Sequence, residues 1–189
     1  MFEQILERIA LALEDLRIPY LVIGGQAVLL YGEPRLTRDI DITLGVGPDR
    51  LPAIVGLIQG WGWTVLTSFP AEFVERTLVL PCLEPASGVR VDFIFSFSAF
   101  EKQAMDHARR VVVGKAAVRF ASVEDLIIHK IVAGRPRDLE DVKGILLRRP
   151  AIDLVYLDHW LDEFDRSLGE QILRRWQELR ELVPPADGM

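Results

Sequence analysis

The chain has 189 residues, 50% hydrophobic and 26% charged, with a formal net charge of −6. This fits one well-cored domain with a small helical appendage and excludes a disordered chain. The acidic sum argues against a surface that coats nucleic acid generally. The single cysteine, Cys82, excludes an internal disulfide and suits a reducing cytoplasm.

The charge is unevenly spread. Residues 102–149 hold 11 Lys and Arg against 6 Asp and Glu, while residues 1–101 sum to −6 and residues 150–189 to −5.

In chain order, residues 2–17 predict an amphipathic helix with Ile5, Ile9, Ala12, Leu13 and Leu16 on one side, ended by Pro19. Its acids run through the apolar stretch, which is not the pattern of a signal peptide. Tyr20 to Ile23 reads as a strand, Gly24-Gly25 as a turn, and Gln26 to Tyr31 as a buried helix stopped by Gly32 and Pro34. Asp39-Ile40-Asp41-Ile42 alternates as a strand does, with the acids on one face.

Residues 51–71 carry no charge, but Pro52, Gly60, Gly62 and Pro70 break them up. They predict a helix over 51–58 and a strand over 61–67, with no membrane span. Strands follow at 76–83 and 89–95, joined by a turn over 85–88. Ser98 caps a helix running to about residue 108. Residues 109–113 and 116–120 form a hairpin around Gly114-Lys115. Ser122 caps a helix bearing Lys130. Asp138 reads as the N-cap of the next helix, with Asp141 in its first turn. Two amphipathic helices occupy 153–182. The fold class is α/β (α+β), a mixed sheet flanked by helices, with residues 1–121 as the core and 122–189 as a C-terminal helical part.

Asp39 and Asp41 carry the chemistry. At ~4 Å, two like charges repel by about 4 kcal/mol at an effective dielectric near 20. A divalent cation turns that cost into attraction, and hard oxygen donors select Mg²⁺ or Mn²⁺. The glycine pair lets backbone amides approach a phosphate at a helix N-terminus. Phosphate cradle and metal carboxylates together point to phosphoryl or nucleotidyl transfer. Asp92 is a lone acid in the strand Val89 to Phe95. His107, His129 and His159 lack metal-ligand spacing.

Gly24-Gly25 followed by Asp39-Ile40-Asp41 resembles the signature of the DNA polymerase beta-like nucleotidyltransferase superfamily. With Ala27, Tyr31-Gly32, Arg35 and Thr37, the string is similar to its branch of abortive-infection (AbiEii-like) toxin nucleotidyltransferases. Lys130, Ala133, Arg137, Asp138 and Asp141 match that branch's later motif. The resemblance implies a nucleotidyltransferase-type fold and Asp92 as the third carboxylate. It implies Asp39, Asp41 and Asp92 as metal ligands, and these with Lys130 as catalytic residues. Gly24, Gly25, Arg35, Thr37, Lys130 and Arg137 would bind the nucleotide.

The expected reaction is Mg²⁺- or Mn²⁺-dependent transfer of an NMP from an NTP, such as ATP, to an acceptor hydroxyl. The acceptor could be an RNA 3′ end (tRNA-like), a protein or a small molecule. A toxin–antitoxin or phage-defence role, a cognate partner protein, a cytoplasmic location and no membrane contact go with it. A binding-only, antitoxin-like module on the same fold is the alternative. Arg109, Arg110, Lys115 and Arg119, clustered at the hairpin, are the expected contacts of a polyanionic acceptor.

Overall fold

The computed structural model describes residues 1–34, 36–169 and 171–181. Contacts divide the chain into two compact units, one of Met1–Gln26 with Leu36–Ala121 and one of Ala27–Arg35 with Ser122–Met189.

The first unit is built on a seven-stranded mixed sheet in the order β3-β4-β5-β2-β1-β7-β6. Its strands are β1 (Tyr20–Ile23), β2 (Asp39–Leu44), β3 (Thr64–Val65), β4 (Val79–Glu84), β5 (Val89–Phe95), β6 (Arg109–Val113) and β7 (Ala116–Phe120). Helices α1 (Phe2–Asp15), α3 (Leu51–Gly60), α4 (Pro70–Thr77) and α5 (Ala99–Asp106) belong to it. Helix α2 (Gly24–Tyr31) starts in this unit and continues into the other.

Strand alternation creates the core. Tyr20 and Val22 of β1 pair with Leu44 and Ile42 of β2. Ile40, Ile42 and Leu44 in turn pair with Val91, Phe93 and Phe95 of β5. These side chains share one sheet face and are almost fully buried, as are Ile9 and Leu13 of α1. Burial of a large apolar side chain stabilises by about 1.5–3 kcal/mol, so this face holds the sheet in register.

Several boundaries differ from the sequence reading, each for a local reason. Helix α1 ends at Asp15, before Pro19 can act. Arg17 adopts φ +53°, and the amides of Arg17 and Ile18 bond back to the carbonyls of Glu14 and Leu13. Helix α3 runs on to Gly60 and closes in the same way, with Gly62 at φ +71° and the Trp63 amide on Ile58. The strand expected over 61–67 is thereby cut to Thr64–Val65. Residues 70–77 form α4, where the sequence reading begins a strand at Arg76. Pro70 opens the helix, which is only eight residues long and largely polar, with Val74 as its one buried residue.

The second unit is helical, with α6 (Val123–Ala133), α7 (Pro136–Leu147), α8 (Leu154–Leu168) and α9 (Ile172–Arg180). Ser122 and Asp153 cap α6 and α8 through their side chains. Leu126, Ile127, Leu157, Leu161 and Trp176 are buried in this unit. Buried Asp125 accepts hydrogen bonds from Ser122 and from the Tyr156 hydroxyl, at 2.6 and 2.7 Å. Among the described residues, no helix is long and apolar enough to cross a membrane.

Candidate active site

Parallel strands β2 and β5 lie side by side, and their register sets Asp41 opposite Asp92 and Asp39 opposite Arg90. Since Ile40, Ile42, Val91 and Phe93 fill the buried face, Asp39, Asp41, Arg90 and Asp92 share the other. The sheet thus brings the three expected carboxylates onto one face of two neighbouring strands. Asp39 is exposed, and Asp41 and Asp92 are half-buried.

The glycine pair packs directly on this set. Ile23, the last residue of β1, is the register partner of Asp41, and Gly24 follows it at φ +63°. A Cβ on Gly24 would sit 1.9 Å from Asp41 Oδ2, so only glycine allows backbone and carboxylate to come this close. A Cβ on Gly25 would meet Thr37 Cβ at 2.9 Å. Thr37 is buried; its hydroxyl accepts from Gln26 Nε2 at 3.2 Å and donates to the Asp39 carbonyl at 3.0 Å. It therefore ties the loop before β2 to the first turn of α2. Helix α2 opens at Gly24 itself, two residues earlier than the sequence reading. Its first amides have no helical acceptor, which is the general condition for anion binding at a helix start.

Arg90 is the residue that sequence reasoning missed. Its Nε donates to Asp92 Oδ1 at 2.8 Å. The hydrogen bond to Asp92 raises the Arg90 pKa above its usual value against a smaller effect of burial, and Asp39 and Asp41 add to the rise. The spacing could have revealed it, because residues two apart on a strand share a face.

The donor set suits a hard divalent cation. Among the described residues, no three His, Cys, Asp or Glu side chains are arranged as a ready-made metal site. Mg²⁺ does not require one, since it is usually held by one or two carboxylates with substrate phosphates and water. Asp39, Asp41 and Asp92 supply such carboxylates, and the open start of α2 lies against Asp41.

Lys130 lies on the last turn of α6 in the second unit, buried between Asp138 Oδ1 at 2.9 Å and Asp141 Oδ2 at 2.7 Å. Asp138 also pairs with Arg135 Nε at 2.6 Å. Burial alone would push the Asp138 carboxyl up, but hydrogen bonds from Arg135 and Lys130 hold it below the usual aspartate value. Asp138 is not the N-cap expected from the sequence. Pro136 presets the helical φ and opens α7, so Arg135 becomes the N-cap and Asp138 turns to Lys130. Arg137 is exposed on α7. Arg35 lies outside the described residues.

The basic hairpin is not one cluster. Arg110 and Arg119 are directly opposite each other, and Arg109 is opposite Phe120, on the other face. Lys115 sits in the distal turn, where its amide donates to Glu7 Oε1 at 2.8 Å. Arg119 donates from Nη2 to the Met105 carbonyl at 2.6 Å.

Solved structures with this fold include an antigenic nucleotidyltransferase-like protein from Paracoccidioides brasiliensis. It has a TM-score of 0.57 and 14% identity over 97% of this chain and 94% of its own. The antibiotic-resistance factor ANT(2″)-Ia, solved in solution, has a TM-score of 0.52 and 15% identity over 95% of this chain and 91% of its own. The same factor in complex with adenylyl-2″-tobramycin has a TM-score of 0.51 and 15% identity over 95% of this chain and 97% of its own. No curated protein sequence matches. The family model "Nucleotidyl transferase AbiEii toxin, Type IV TA system" matches residues 4–187, nearly the whole chain. The chain thus belongs to the AbiEii nucleotidyltransferase toxin family of type IV toxin–antitoxin systems.

Proposed function

We propose that this protein transfers an NMP from an NTP to an acceptor hydroxyl, using Mg²⁺ or Mn²⁺. The observation that carries the reading is the register match of Asp41 with Asp92, with Gly24 packed on the Asp41 carboxylate. Asp39, Asp41 and Asp92 are the carboxylates assigned to the metal. A divalent cation there would neutralise phosphate charge and orient the phosphates for in-line displacement. The Gly24 and Gly25 amides hold a phosphate at the start of α2. Thr37 keeps that turn closed on β2. Asp92, on the acceptor side, takes the proton of the attacking hydroxyl, and pyrophosphate leaves in line. Arg35, Lys130 and Arg137 are assigned to the triphosphate on the motif match alone.

In this reading residues 1–121 are the catalytic core and residues 122–189 its helical companion. The family supports a cognate antitoxin as partner, and an NTP substrate accords with a cytoplasmic setting. An RNA 3′ end, a protein and a small molecule are the acceptors to be compared. Incubation with each labelled NTP, Mg²⁺ and total RNA or lysate tests the proposal. Label should appear on one acceptor class and vanish with Asp41→Asn. Equal labelling by folded Asp41→Asn would overturn the assignment.

A further inference from the structure

Among the described residues, Arg90 forms an ion pair with Asp92 on the acidic face. It stands opposite Asp39 across the β2–β5 pairing and hydrogen-bonds Asp92 at 2.8 Å. Its side chain is 53% exposed, whereas that of Asp92 is 16% exposed. The carboxylate is thus mostly covered while the arginine side chain is about half in water. Such a pair is weak, because solvent screens it and a long side chain must be ordered to make it. The pair buries the acid and leaves the arginine accessible to solvent, so the arginine can leave without exposing a buried cation. The Asp92 oxygen that Arg90 occupies also belongs to the carboxylate assigned to the acceptor side, so it cannot serve both cations fully.

We propose that Arg90 is a displaceable counter-cation for Asp92. It occupies the carboxylate in the metal-free protein and yields it when a divalent cation binds, setting the cation concentration at which the site fills. The inference rests on the metal-dependent reading above and adds a positioning residue to it. The chemistry is exchange of one cation for another on a carboxylate, with no covalent step. Freed from Asp92, the guanidinium remains beside the site as a donor.

The test is Mn²⁺ binding to the intact protein, without nucleotide or acceptor, read by electron paramagnetic resonance of the free ion. Arg90→Gln removes the charge, Arg90→Lys keeps it, and Asp92→Asn removes the contested ligand. An exposed pair worth up to about 1 kcal/mol predicts up to roughly fivefold tighter binding in Arg90→Gln. Arg90→Lys should remain close to wild type, and Arg90→Gln should bring no gain in the Asp92→Asn background. Equal or weaker binding in folded Arg90→Gln overturns the inference while leaving the metal reading intact. Absence of Mn²⁺ binding in the wild type, with and without a non-hydrolysable NTP, overturns the metal reading itself and the inference with it. If Arg90→Gln fails to fold, the arbiter is the Arg90 Nε–H signal of the wild type by NMR. Displacement predicts that its hydrogen-bonded shift moves on titration with diamagnetic Mg²⁺, and an unmoved signal at saturation overturns the inference.

Discussion

Replacing Gly24 by alanine separates the fold from the site. Two costs arise at that position. The backbone has φ +63°, and an L-residue in a left-handed conformation costs about 1–2 kcal/mol. The new Cβ would also fall 1.9 Å from Asp41 Oδ2. That atom ends a side chain on a half-buried residue, so the clash is relieved by swinging the carboxylate away rather than by unfolding. Stability should therefore fall by the backbone cost alone. In a chain of this size, 1 kcal/mol moves Tm by about 2–4 °C, so the expected drop is about 2–8 °C. Activity should fall far more, because displacing a catalytic group by about 1 Å costs on the order of a hundredfold. Circular dichroism melts and the labelled-NTP assay measure the two effects on one preparation. Gly25→Ala is the companion: its φ is ordinary, but its Cβ would press on buried, hydrogen-bonded Thr37 at 2.9 Å. Overpacking there should cost about 1–3 kcal/mol while leaving Asp41 in place. Wild-type transfer by Gly24→Ala would refute the reasoning.

Asp92→Asn should keep NTP binding by calorimetry and lose transfer, as expected of a group that acts in the transition state; unchanged turnover in the folded variant would remove Asp92 from the mechanism. Lys130→Met leaves Asp138 and Asp141 buried without the cation between them, and should lower stability by about 3–5 kcal/mol in urea melts; a loss below 1 kcal/mol would show the pairing to be dispensable. The lowered pKa of Asp138 contributes stability that is full well above the ordinary aspartate value of about 3.9 and is lost as pH falls below it. Asp138→Asn should accordingly flatten the acid limb of the stability–pH curve, and an unaltered limb would contradict this. Burial pushes the Cys82 thiol up to about 12, so it should resist thiol reagents at pH 8 and react once the protein is denatured; rapid labelling of the native protein would count against the packing of β4 on β5.

Much of the fold and about half of the site are legible in the sequence, and the division follows the range of the interactions. Val89–Phe95 alternates with period two, so its strand and the lone Asp92 are readable locally. Gly114-Lys115 between two apolar runs marks the hairpin, and Ser98 and Ser122 mark helix starts, because turn and cap chemistry spans only three or four residues. Helix α4 is hard to read because it is two turns long and largely polar, and the Asp138 cap differs because Pro136 is the stronger local signal.

By itself the sequence determined that Asp39 and Asp41 share a strand face, that a glycine turn precedes them, and that a third acid stands alone on a later strand. Those facts follow from backbone geometry within single segments. Only the tertiary structure decided that Asp92 stands opposite Asp41 and that Gly24 lies against the Asp41 carboxylate. Lys130 likewise has its partners eight and eleven residues away on another helix. The reason is register: hydrogen bonding between strands some fifty residues apart is chosen by which apolar faces bury together, and no local pattern states that choice.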